Sequence, residues 1–438
     1  MKKLFMAGLS TALVVSLAGC GQSGGSAGAS NDSGKKVTIS FTWWGDPTRN
    51  KVYDQVIAEF EKKYPNITVK AEPTSWADYW TKLSTEMAGG NAPDVIGMHA
   101  DYASDYARRG TLLNLNSYIS SGVINLSDFP QTVTDSGKLN GNTYMVAQGV
   151  TTSGQIYNEA LFKQMGVSAP TMNWTWDDFV KDATALKQAF VAKGEGTGHW
   201  GVDDESGEMQ PVFEYYLNQH GKQLFTSDGK LGFTVNDLES WFTMWANLRK
   251  QGVIPDAATA AQYTGASVEQ SLFANDKVGI TAIPANQLYL YQTQMTNTTV
   301  GLVREPSTAG GKNGEFVEGA YLAVPEKSPH PKEAAEFINF FVNDTGAGKT
   351  FKIEQGEPGS TKIDQIVKPL LTPTEQTEMS FISKTLSLAH ADPYPPKGND
   401  QITTDFTQAA QNIAYGKMSI QQASENFMNQ ANSILAGN

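Results

Sequence analysis

The stretch Lys36–Pro73, "KVTISFTWWGDPTRNKVYDQVIAEFEKKYPNITVKAEP", changes its hydrophobic period twice. It opens by alternating, rich in β-branched and aromatic residues as far as Trp44, which predicts a strand. Val52, Val56, Phe60 and Tyr64 then recur at helical spacing until Pro65 ends the helix, and Asn66–Pro73 predicts a second strand. Further on, "WADYWTKLSTEMAGG" from Trp76 predicts another helix, closed by glycines, and "PDVIGMH" from Pro93 a short apolar strand. This order is the α/β pattern of a largely parallel sheet covered on both faces. Such sheets bind ligands beyond the carboxyl ends of their strands. Trp43, Trp44, Gly45 and Asp46 end the first strand, and His99, Asp101 and Tyr102 follow the third, so two separate segments point at one crevice.

Towards the amino terminus the pattern concerns address rather than fold. Lys2 and Lys3 precede an apolar run, Met6–Ala18, that is too short to make a good membrane span. The segment ends "LAGC" at Leu17–Cys20, which resembles the lipobox of a bacterial lipoprotein signal peptide. On that reading residues 1–19 are removed and Cys20, the only cysteine, carries lipid and anchors the chain to the membrane; the alternative is a secretory peptide with an incidental cysteine. Residues 20–36 then form the lipidated end and a Gly/Ser tether. What remains of the 438 residues exceeds one ordinary core, which predicts two lobes. A net charge of −12 without a lysine or arginine cluster excludes a nucleic-acid partner. No second histidine or cysteine stands at metal-ligand spacing from His99. No phosphate loop, serine elbow or cysteine nucleophile is found, so neither a cofactor nor an enzymatic activity is expected.

Later segments repeat the alternation, with Thr175 and Asp178 spaced to cap a long helix. Several blocks resemble the extracellular solute-binding proteins of family 1, the carbohydrate-binding subunits of ABC importers: "FTWWGD", "VIAEFEKKYPNITV", "GNAPDVI", "YNEALFKQMGV" with "WTWDDF", "LFANDKVGI" and "VEGAYLAVPEKSPHPKEAAEFINFF". Each alone is ordinary; their order over nearly the whole mature chain carries the resemblance. It implies a periplasmic-binding-protein-like fold of two discontinuous α/β lobes with a central cleft. One lobe would comprise 37–147 and 280–324, the other 148–279 and 325–438. Hinge strands would lie near 145–148, 279–283 and 323–325. It further implies a monomer that closes over a sugar and docks on the transmembrane subunits of an importer. A ligand touching both lobes stabilises closure, whereas one touching a single lobe shifts nothing.

A sugar offers weakly polar C–H faces and a rim of hydroxyls, so aromatic residues beside carboxylates or amides are the side chains to collect. Alternation puts Trp43 and Trp44 on opposite faces, which predicts one in the core and the other, Trp44 being nearer the strand end, in the crevice. Asp46 is a candidate acceptor, or a turn residue before Pro47. Trp76 is expected at the ligand and Trp80 in the core. Asp101 and His99 follow as polar contacts. Gln148 and Thr152 lie at the presumed first crossing. Trp241, four residues before Trp245, and Tyr263, in a Gly/Ala/Ser loop, are weaker candidates. Glu318, Tyr321 and Glu357 complete the set. The acidic run Asp203–Glu205 reads as a solvated turn or a cleft rim. The ligand expected is a neutral or mildly acidic oligosaccharide, with a monosaccharide or polyol next. A glycoside hydrolase would also want an acidic, aromatic cleft, with two carboxylates about 5 to 9.5 Å apart.

Overall fold

A computed structural model describes residues 36–45, 47–390 and 394–437. Its first part follows the sequence closely: β1 (Val37–Trp44), α1 (Pro47–Lys63), β2 (Ile67–Thr74), α2 (Trp76–Gly89), β3 (Val95–His99) and α3 (Ala100–Arg108). β1 runs parallel to β2 from Val37↔Ile67 to Trp44↔Thr74, and parallel to β3 at Phe41↔Val95. Gly97 of β3 has no side chain for a reason of space: a Cβ there would lie 3.2 Å from the Trp44 ring.

Apart from a two-stranded hairpin that pairs Lys138–Leu139 with Asn142–Thr143, the remaining strands divide between two sheets. β4 (Met145–Thr151) joins the first sheet, and β5 (Ser153–Asn158) starts the second after the single residue Thr152. There follow α4 (Trp176–Ala192), α5 (Val235–Lys250), α6 (Ala257–Tyr263), β6 (Ile280–Pro284), α7 (Leu288–Gln294) and β7 (Val300–Arg304). β8 (Glu318–Ala323) returns to the first sheet. After it come α8 (Pro331–Asn343), α9 (Thr345–Phe351), β9 (Glu357–Pro358), α10 (Thr361–Val367), α11 (Pro373–Leu386), α12 (Asn399–Ala414) and α13 (Ile420–Ala436). The first sheet has the order β9-β4-β8-β3-β1-β2, with β8 antiparallel to both β3 and β4; the second is β6-β5-β7, antiparallel throughout.

Two aromatic cores match the two sheets. In the first, Phe41, Trp43 and Tyr53 pack with Phe337, Phe341 and Phe351 of α8 and α9. In the second, Trp176, Phe179, Trp241 and Trp245 pack with Phe406 and Phe427 of α12 and α13. The expected capping box at Thr175 is made, Asp178 accepting from the Thr175 backbone and hydroxyl. The chain therefore passes between two α/β lobes at 151–153, 305–317 and 368–373.

These crossings correct the expected boundaries. Ile280–Pro284 pairs antiparallel with Ser153–Tyr157 and so belongs to the second lobe, not the first. Residues 325–367 carry Ala334, Phe337 and Phe341 into the first core rather than the second. Short apolar strands such as Met145–Gln148 and Gly279–Ile283 look alike along the chain, and nothing in their composition names the partner strand.

Candidate functional site

The carboxyl ends of β1 and β3 present an aromatic group. Trp76, the first residue of α2 after the cap Ser75, is 46% exposed. It meets Trp44 edge-on at 5.2 Å, Trp80 at 5.5 Å and the His99 ring at 5.7 Å. Trp80 stacks on Tyr102 at 3.7 Å.

Beyond His99 opens a cavity of about 270 Å3 walled by both lobes. The first lobe contributes His99, Arg108, Lys138, Glu318 and Tyr321; the second contributes Gln210, Glu214 and Ser227. Glu318 is held where the chain crosses: its Oε2 accepts the Ser153 hydroxyl at 2.9 Å and its Oε1 accepts the Tyr215 hydroxyl at 3.3 Å. The Tyr215 oxygen in turn accepts the Ser153 backbone N–H at 2.9 Å. Tyr321 donates to the Ser136 hydroxyl at 3.0 Å, and Tyr394 donates to the Ser136 carbonyl. Burial, then the Glu318 carboxylate, holds the Tyr215 hydroxyl well above the usual tyrosine range, so it stays a donor. Glu214 Oε2 accepts from Gln210 Nε2 at 3.1 Å.

A second cavity, about 260 Å3, lies on the far side of the segment 208–214, walled by Asp203, Asp204, Glu205, Glu208, Tyr263 and Tyr291. α6, none of whose residues is buried, forms part of its rim. Burial pushes Asp203 up to about 6, while Asp204 pairs with Arg249. Glu205 is buried and shares the Gln155 amide with Glu305, Nε2 donating to each at 2.9 Å. Burial raises both carboxyls, and Glu305 raises Glu205 further. The Asp203–Glu205 run is thus cavity wall rather than a solvated turn.

Among the residues singled out from the sequence, His99, Glu318 and Tyr321 come together on the wall of the first cavity, Tyr321 itself fully buried with its hydroxyl on Ser136, and Trp44 and Trp76 adjoin His99. Tyr263 lies apart, on the second cavity. Five are corrected by burial. Trp43 is 1% exposed, stacked on Tyr53 at 4.7 Å with its indole N–H on Asn50. Gln148 is buried between Tyr53, which donates to its Oε1 at 2.8 Å, and the Tyr321 carbonyl, to which its Nε2 donates at 3.1 Å. Thr152 is sealed against the Thr385 hydroxyl at 2.6 Å. Trp241 is fully buried and donates to the Ser206 carbonyl at 3.0 Å. Trp44 is also buried, at 6%, by Tyr79 and Trp80, so neither ring of the pair lies open in the crevice. Glu357 lines neither cavity; it accepts the Ser383 hydroxyl of α11 at 2.7 Å. Cys20, Asp46 and the Asp101 side chain fall outside the described residues.

Sequence reasoning missed Arg108, Lys138, Gln210, Glu214 and Ser227. They are ordinary polar residues on distant segments, brought to one cavity only by the crossing of the chain. Phe316 and Val317, also on its wall, had a local signal, since they lead directly into Glu318.

Comparison with known proteins places the whole arrangement. The family model described as bacterial extracellular solute-binding protein matches residues 44–348. A multiple sugar-binding protein of Streptococcus mutans is 26% identical over 381 residues, 82% of this chain and 83% of its own. An extracellular solute-binding protein of family 1 from Alicyclobacillus acidocaldarius has 32% identity and a TM-score of 0.69, over 92% of this chain and 100% of its own. A periplasmic oligogalacturonide-binding protein of Yersinia enterocolitica, solved with saturated digalacturonic acid, shares the fold at a TM-score of 0.80 and 24% identity, over 92% of this chain and 99% of its own.

Proposed function

Because the chain belongs to the bacterial extracellular solute-binding proteins, we propose that it captures a neutral or mildly acidic oligosaccharide between its lobes and hands it to the transmembrane subunits of an ABC importer. The observation that carries this reading is the cavity walled from both sides, by His99, Glu318 and Tyr321 of one lobe and Gln210 and Glu214 of the other. A ligand there bonds to both lobes and so stabilises their approach. Hydroxyl-bearing, amide and carboxylate groups suit the hydroxyl rim of a sugar, and the exposed face of Trp76 suits its C–H face. In this cavity Lys138 pairs with Asp135 at 2.9 Å, and Arg108 and His99 stand beside Glu214 and Glu318, a mixed lining that suits a neutral or mildly acidic sugar. The name of the streptococcal protein agrees with a sugar ligand, and that of the Yersinia protein with an oligosaccharide, there an acidic one.

Calorimetric titration with a panel of di- to tetrasaccharides should give saturable heat with at least one. Silence across the panel, alongside tight binding of a peptide or an ion, would sink the sugar reading. Glu214 and Glu318 share the cavity, so the same incubations should be assayed for reducing ends. None should appear; their release would make the protein a hydrolase. Cys20 is proposed as the lipid-bearing residue that keeps a monomer at the outer face of the cell membrane. Labelled palmitate should enter the wild-type chain and not Cys20→Ala.

A further inference from the structure

Away from both cavities, the lobes meet along the residues that follow α9. Lys352 Nζ lies 3.8 Å from Glu375 Oε1 in the first turn of α11. Ile353 is buried with Met379 of α11, in one cluster with Ile363 and Val367 of α10. Glu354 Oε1 accepts the Tyr289 hydroxyl of α7 at 3.3 Å and Arg49 Nε of α1 at 2.8 Å.

The two ends of these contacts belong to different lobes. Arg49 and α9 pack with the first, where Phe351 meets Tyr53 edge-on at 5.2 Å. α7 follows β6 of the second sheet, and α11 lies against the same sheet: Phe381 and Ile382 are buried with Ala285. A Cβ on Gly154 of β5 would come within 2.7 Å of the Phe381 ring. Lys352–Ile353–Glu354 is therefore a strap joining the first lobe to the α7–α11 corner of the second.

We infer that this strap sets how closely the unliganded lobes rest, making Glu354 and Tyr289 positioning residues for capture that act without contacting the ligand. The inference rests on the lobe-closing reading above. Glu354 and Arg49 keep only 12% and 15% of their side-chain surface exposed, so the tyrosine hydroxyl finds an acceptor already fixed in place by the guanidinium. A hydrogen bond of that kind across two moving bodies biases their equilibrium by its own free energy, with or without ligand. Arg49 also links the strap to the crevice end of β1, since a Cβ on Gly45 would lie 2.9 Å from its Cδ.

The deciding variant is Tyr289→Phe in the full chain, which removes one hydroxyl and leaves the Arg49–Glu354 pair. Small-angle X-ray scattering without ligand should show a larger radius of gyration than wild type, with an unchanged melting temperature. Affinity for a saccharide identified by calorimetry should fall about three- to tenfold. Glu354→Gln keeps a carbonyl acceptor for the hydroxyl and should scatter closer to wild type. Identical unliganded scattering from wild type and Tyr289→Phe would overturn the strap. A scattering change with no saccharide bound by either chain would leave the strap standing and remove the sugar reading. Saccharide binding without a scattering change would do the reverse.

Discussion

Two helices carry tryptophans four residues apart, Trp76 and Trp80 on α2 and Trp241 and Trp245 on α5, and they meet opposite fates. Both pairs sit at 5.5 Å and nearly edge-on or steeply inclined. Trp241 and Trp245 are fully buried under Trp176, Phe213 and Phe179, whereas Trp76 is the most exposed tryptophan of the four. Spacing is identical, so spacing decides nothing. Place along the helix does. Trp76 is the first residue of α2, at the carboxyl edge of the sheet, and 46% exposed; Trp241 stands in the second turn of α5, covered by Trp176 of α4, Phe213 and Tyr216.

The sharpest way to break this contrast is to truncate each pair. Trp241→Ala should cost about 3–5 kcal/mol of folding stability, read from chemical denaturation, because the ring leaves a cavity that its neighbours cannot fill. A loss under 1 kcal/mol would mean that the second core is looser than its packing indicates. Next in size is a pH effect in the same lobe. Asp203 has its folded pKa raised to about 6 from an ordinary 3.8. Well below the ordinary 3.8 both folded and unfolded forms are protonated and there is no penalty; from 3.8 up to about 6 the unfolded form ionises first and stability falls, then levels off. Asp203→Asn keeps an acceptor for the Asp204 N–H and should stabilise the protein by roughly 3 kcal/mol at pH 7 and by almost nothing at about pH 3. Equal gains at both values would exclude this linkage.

Trp76→Ala probes the open pair, and its signature is binding rather than stability. Saccharide affinity should fall by about 1–2 kcal/mol in calorimetry while the melting temperature barely moves. The reverse outcome would class Trp76 with Trp241. The smallest effect belongs to Trp80, whose buried indole N–H has no partner among the described residues. Trp80→Phe trades ring area against that unmet donor and should change stability by less than about 1 kcal/mol.

The same contrast explains what could be read from the chain. Strand, helix and strand were legible from Lys36 to His99 because period changes and breakers such as Pro65 are local signals. The division of Trp43 from Trp44 was legible too, but only as geometry. The two rings do face opposite ways, one onto Tyr53 of α1 and the other onto Tyr79 and Trp80 of α2. Both are buried because helices cover both faces of β1, so period two chose the neighbour and not the exposure. Glu318 and Tyr321 were found because strand and motif coincide there. Glu214 and Gln210 were not, since their meeting with His99 depends on how often the chain changes lobe.

The position of β8 reaches beyond the folded molecule into the order in which it can be made. It lies between β3 and β4, yet it is synthesised long after both, and the first core also awaits Phe337 and Phe341. Until that late segment emerges, β3 keeps a bare edge and the amino-terminal half cannot complete a stable sheet. A chain built in this way completes its second sheet, whose strands all lie before residue 305, ahead of its first, although the first begins earlier in the sequence.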